Sequence, residues 1–96
     1  MIKIHFSGKY HQSFKRILKE YLGIKSEINI SIKLFQNDPE DTRLRNHPLR
    51  KVMKGKYAFS VTDDTRIVYT WVGKSTVRFL DIGTHKQVYR VKSSSK

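Results

Sequence analysis

Ile2, Ile4 and Phe6 alternate with Lys3 and His5, the period-two pattern of a strand with one buried face. Ser7 then offers a helix N-cap. Beyond it Tyr10, Phe14, Ile17, Leu18, Tyr21 and Leu22 fall on one helical face, with Lys9, Lys15, Arg16, Lys19 and Glu20 largely off it. Gly23 is expected to close this helix. Ile24 to Phe35 fits two templates, because Ile28, Ile30, Ile32 and Leu34 alternate like a strand while Ile24, Ile28, Ile32 and Phe35 follow helical spacing. Ser26, a length of about three turns and the Asn37-Asp38-Pro39 stop favour a second helix packed on the first. The β-branched content argues for a strand.

Asn37 to Asn46 is polar and reads as a loop. Tyr57, Phe59 and Val61 alternate with Ala58 and Ser60, Asp63-Asp64 supplies turn residues, and a second strand covers Arg66 to Val72. Gly73-Lys74-Ser75 makes a hairpin turn into a strand over Thr76 to Ile82, which Gly83 is expected to end. A phosphate-binding loop would need another glycine five residues before Gly73, and Val68 stands there. Thr84 can cap a short helical turn reaching Tyr89, while Tyr57, Phe59, Tyr69, Trp71 and Phe79 read mostly as core. The predicted fold is α+β: an N-terminal strand, two packed helices, a three-strand antiparallel meander with helices on one face, and a short C-terminal helical turn. Residues 1–92 are expected to form one domain and 93–96 a frayed tail.

Charge adds a partner to this picture. Twenty Lys and Arg against eight Asp and Glu give a formal charge of +12. Such a surface favours polyanions, because each neutralised phosphate releases counterions. Nucleic acid or an acidic protein is therefore the expected partner. Without cysteine there is no disulfide and no cysteine-ligated zinc. No apolar run approaches a membrane span and no signal-peptide core opens the chain, so a soluble, cytoplasmic protein without membrane association is expected.

The chemistry concentrates between Thr42 and Lys56. Arg43, Arg45, Arg50, Lys51, Lys54 and Lys56 surround His47, with no acidic residue from Arg43 to Lys56. A group titrating near neutrality among phosphate-binding cations can donate or accept a proton at a phosphodiester. His85 follows Gly83-Thr84, and Tyr89 lies one helical turn later, placed to stack on a base. Asp64, in the turn before the central strand, is either a turn former or a partner for His85. Arg66, at the start of that strand, is either a solvated edge residue or a phosphate ligand. His5 and His11 have no such neighbours in sequence and receive no role.

Four segments carry a family resemblance over essentially the whole chain: Asn46-His47-Pro48-Leu49, Lys54 to Val61, Asp63 to Tyr69, and Leu80 to His85. Together they resemble the RelE/ParE superfamily of toxin–antitoxin modules, in particular its RelE/StbE and YafQ-like mRNA interferases. The resemblance implies a toxin that enters the ribosomal A site, cuts mRNA there and is held inactive by a cognate acidic antitoxin. It also implies an active site of His47, Asp64, His85 and Tyr89, to which the residues add Arg66 as a phosphate ligand; neither cofactor nor metal is expected. The chain departs from the YafQ-like pattern at Ser60, where relatives carry another histidine, and at Thr65, where they carry tryptophan. Lys51 stands where many relatives have glycine. Two other readings remain open, a ParE-like inhibitor of DNA gyrase and a basic nucleic-acid-binding module without activity.

Overall fold

The computed structural model describes residues 1–89; the expected tail at 93–96 lies outside them. Among the described residues five strands form one sheet: β1 (Lys3–Phe6), β2 (His47–Pro48), β3 (Tyr57–Ser60), β4 (Thr65–Trp71) and β5 (Thr76–Thr84), ordered β1-β5-β4-β3-β2. β3, β4 and β5 are the expected antiparallel meander, while β1 pairs parallel with β5 at one edge and β2 antiparallel with β3 at the other. β2 was not predicted. It has two residues and contains a proline, so it leaves no periodic signal.

The first helix, α1 (Gly8–Glu20), begins at Ser7, whose side chain accepts the Tyr10 N–H. It continues along β5 where β1 stops: Ser7 Oγ donates to the Leu80 carbonyl at 3.1 Å and Ser13 Oγ to the Asp81 carboxylate at 2.6 Å. The helix ends at Glu20, with Tyr21 extended and its N–H still bonded to Ile17 O. Gly23 therefore does not close α1 as expected. Its φ of 85° makes it the start of α2 (Ile24–Asn37), a conformation glycine adopts without a Cβ penalty.

Tertiary packing settles the ambiguous segment as helix. Ile24, Ile28 and Phe35 are buried, whereas Ile30, inward in the strand template, is 58 % exposed. Both helices cover one face of the sheet, where Tyr10, Ile17, Ile28, Phe35, Phe59, Ile67, Tyr69 and Phe79 form the main core. Phe35 stacks on Phe59 with ring centroids 4.7 Å apart. Trp71, assigned to the core by its alternation, is exposed near the end of β4.

A smaller apolar cluster, built on Ala58, Val68 and Val88, lies on the other face. There a one-turn helix, α3 (His85–Val88), packs against β4 and β5. Not all helices share one face, then. β5 also runs through Gly83 to Thr84 instead of stopping at Gly83. The glycine is inside the strand because α3 presses on it: a Cβ there would stand 2.7 Å from Gln87 Oε1. No helix of the described residues is long and apolar enough to cross a membrane.

Candidate active site

Cross-strand partners share a face, so the ladder register maps the open side of the sheet. His47 pairs with Ala58, which pairs with Val68; the next row is Ser60, Arg66 and Gly83. Beyond that row Thr65 pairs with Thr84, and the His85 N–H donates to the Asp64 carbonyl at 2.8 Å. The β3–β4 turn and the start of α3 are thus adjacent. The contact joining Asp64 to His85 is a main-chain one, while the Asp64 side chain points to solvent.

Thr84 starts α3 with a capping box: its hydroxyl accepts the Gln87 N–H, and Gln87 Oε1 accepts the Thr84 N–H at 2.9 Å. One helical turn then carries Tyr89 onto the cluster of Ala58, Val68 and Val88. The His85 and Tyr89 rings meet edge to face with centroids 4.5 Å apart. Two surface hollows flank Tyr89, one lined by His85, Lys86 and Gln87, the other by His47, Pro48, Leu49 and Arg50. Tyr89 lines both. It is the residue through which the structure brings the two histidine regions together.

Burial raises the Tyr89 phenol above its ordinary range, an effect the positive charge of Arg66 partly offsets. Its hydroxyl is buried and has no hydrogen-bond partner among the described residues. Arg66 turns back on the β3–β4 turn, its Nη1 donating to the carbonyls of Thr62 at 3.0 Å and Asp63 at 2.7 Å. That nitrogen braces the turn, so a bidentate phosphate contact would fall to the rest of the guanidinium.

The basic track divides. Arg43 forks onto Asp41, with Nε to Oδ1 at 2.9 Å and Nη2 to Oδ2 at 2.7 Å, and holds that carboxyl down at about 2. Its charge is locally neutralised. Arg45 reaches Asp63 at 3.6 Å. Arg50, Lys51, Lys54 and Lys56 have no carboxylate partner among the described residues. They occupy the β2–β3 hairpin, which Leu49 N–H closes onto Lys56 O at 2.9 Å. Lys51 has φ of 57°, the left-handed conformation expected of a position where relatives carry glycine.

Ser60 and Thr65, the two departures, are both buried. Ser60 lies in the row of Arg66 and Gly83, so a small hydroxyl occupies a position on the site face. Sequence reasoning missed Lys86 and gave Asn46, though part of a resemblance segment, no role of its own. Asn46 joins Tyr69 to Pro39 directly ahead of His47.

The model of the family described as bacterial toxin of type II toxin–antitoxin system, YafQ, matches residues 2–90. No curated protein sequence matches. YafQ from E. coli strain BL21(DE3) superposes with a TM-score of 0.78 at 22 % identity, over 93 % of this chain and 99 % of that one. YafQ in the E. coli DinJ-YafQ complex gives 0.76 at 22 %, over 93 % and 99 %. A YoeB/ParE toxin from Agrobacterium tumefaciens gives 0.72 at 17 %, over 88 % and 99 %. These structures share the fold, and the family model spans nearly the full length: the chain belongs to the YafQ family of bacterial type II toxin–antitoxin toxins.

Proposed function

We propose that this toxin is an endoribonuclease that cuts mRNA in the ribosomal A site by attack of a ribose 2'-hydroxyl on the adjacent phosphate. The observation that carries the reading is the pair of hollows meeting at Tyr89, one bearing His47 and the other His85. In the reaction the 2'-oxygen forms a bond to phosphorus, and the bond to the 5'-oxygen breaks. A base takes the 2'-proton and an acid supplies one to the leaving oxygen, giving a 2',3'-cyclic phosphate and a free 5'-hydroxyl. His47 and His85 are the acid/base groups, each contributing about 10² to 10⁴ in rate. Arg66, with Lys54 and Lys56, offsets the charge that builds on the phosphoryl oxygens. The Tyr89 ring stacks on substrate, and Asp64 holds His85 through its carbonyl.

Arg50, Lys51, Lys54 and Lys56 would carry the protein onto ribosomal RNA and mRNA through phosphates. A cognate acidic antitoxin is the second partner. The net charge of +12 suits one, and the E. coli relative was solved in complex with DinJ. Brief expression followed by primer-extension mapping tests the reading. Discrete cuts within translated codons are expected; intact mRNA with inhibited DNA gyrase would replace it with the ParE-like alternative.

A further inference from the structure

His47 stands on a two-residue edge strand, too short to fix an imidazole by its own ladder bonds. Its Nδ1 lies 2.9 Å from the Arg45 carbonyl oxygen. A carbonyl only accepts, so Nδ1 carries the proton in this bond and the neutral ring leaves Nε2 bare. Free imidazole side chains in water favour the opposite tautomer. Something must therefore hold the carbonyl in place.

Arg45 has φ of 51°, and its N–H bonds to Thr42 O at 3.2 Å as the turn Thr42–Leu44 ends. On one side Leu44 is buried. On the other, Asn46 is gripped at both ends: Oδ1 accepts the Tyr69 hydroxyl at 2.9 Å, and Nδ2 donates to the Pro39 carbonyl at 2.9 Å. Tyr69 is buried in the main core, where burial pushes its phenol up to about 12, so it remains a donor through neutral pH. The Arg45 carbonyl is suspended between two anchored residues.

The geometry points to Asn46 as a positioning residue: clamped between Tyr69 and Pro39, it keeps the Arg45 carbonyl on Nδ1 and so fixes His47 in the tautomer whose Nε2 accepts a proton. The catalytic meaning rests on the proposed RNA cleavage, where His47 then takes the 2'-proton and His85 protonates the leaving oxygen. The orientation of His47 is thus a main-chain effect, independent of the Asp64 carboxylate.

The test is ¹H–¹⁵N NMR of the full chain labelled on histidine, above the imidazole titration, paired with cleavage kinetics. In the wild type His47 should show a protonated Nδ1 and a bare Nε2. Asn46→Ala should shift it toward the Nε2–H form and lower kcat by up to about 100-fold, with KM little changed. Asn46→Asp keeps an acceptor for Tyr69 but no donor for Pro39. It should fall between the two, and it serves if the alanine variant fails to fold. An Nε2–H tautomer in the wild type, or a His47 spectrum indifferent to both substitutions, overturns the inference. Failure of the functional reading looks different: the tautomer and its response to Asn46 would persist while no variant, wild type included, cut RNA.

Discussion

Replacing Gly83 by alanine should disable the toxin through α3 without removing a polar group. The added Cβ would stand 2.7 Å from Gln87 Oε1, 3.1 Å from Gln87 Cβ and 3.4 Å from Val88 Cγ1. Gln87 Oε1 cannot swing aside freely, because it accepts the Thr84 N–H at 2.9 Å within the capping box. Either the contact is overpacked, costing about 1–3 kcal/mol, or the cap opens, costing about 1 kcal/mol. Alanine returns about 0.4–1 kcal/mol by restricting the unfolded chain. The net loss is then up to about 2.6 kcal/mol if the contact is overpacked and up to about 0.6 kcal/mol if the cap opens, at most roughly 20 °C in Tm for a domain of this size. The loss of cleavage should exceed what that destabilisation explains, since α3 carries His85 and delivers Tyr89. Thermal unfolding by circular dichroism beside an mRNA cleavage assay reads both. Combining the change with Gln87→Ala removes the closest contact, so the double variant should be less destabilised than the sum of the singles by about 0.5 kcal/mol or more. Wild-type Tm and activity in Gly83→Ala, or strict additivity in the double variant, would mean that α3 does not press on Gly83.

Four further outcomes follow from the site and its basic track. His85→Ala should abolish mRNA cleavage and growth arrest while changing stability by no more than about 1.5 kcal/mol, the upper worth of an edge-to-face ring pair; unfolding seen by circular dichroism would instead make His85 structural. Tyr89→Phe should keep activity and leave stability equal or up to about 1 kcal/mol higher, because it removes a buried hydroxyl without a described partner, whereas Tyr89→Ala should be inactive; a dead phenylalanine variant would mean the hydroxyl takes part. Neutralising Arg50 and Lys54 should flatten the salt dependence of ribosome binding by about one to two units of slope without altering the preferred codons. Arg43→Ala should leave that slope unchanged. It should instead raise the Asp41 carboxyl, now at about 2, only part of the way to the ordinary range in an NMR titration, because the main-chain N–H of residue 43 still donates to it. The sign follows from that depression: the ion pair favours the fold above the unfolded carboxyl value and is lost as pH falls toward 2.

Most of the fold was legible because period and punctuation agree. Ser7 and a clean apolar stripe mark α1, and the alternation of β3 to β5 is unbroken by proline. The misreadings share a cause, since glycine signals a backbone need without saying which. Gly23 supplies a left-handed start to α2 rather than an end to α1, and Gly83 admits a neighbouring helix rather than terminating a strand. Ile28, common to both templates for its segment, could not decide helix against strand; burial of Ile24 and Phe35 with exposure of Ile30 does. At the site, His47, Asp64, Arg66, His85 and Tyr89 were all nominated by residue type and resemblance. Their juxtaposition depends on ladder register and on α3 folding back over the open face, which no local pattern encodes. Arg43 shows the limit of counting charges, because Asp41 two residues earlier neutralises it. Asn46 received no role because its partners, Pro39 and Tyr69, become neighbours only in the folded chain.

The most direct test of the central claim supplies the purified toxin with translating ribosomes in the presence of a chelator and identifies the ends of the cut mRNA. Expected are 2',3'-cyclic phosphate and 5'-hydroxyl ends, a bell-shaped dependence of rate on pH, and loss of product with either His47→Ala or His85→Ala. A 5'-phosphate product, dependence on added divalent metal, or full activity in both histidine variants would contradict it.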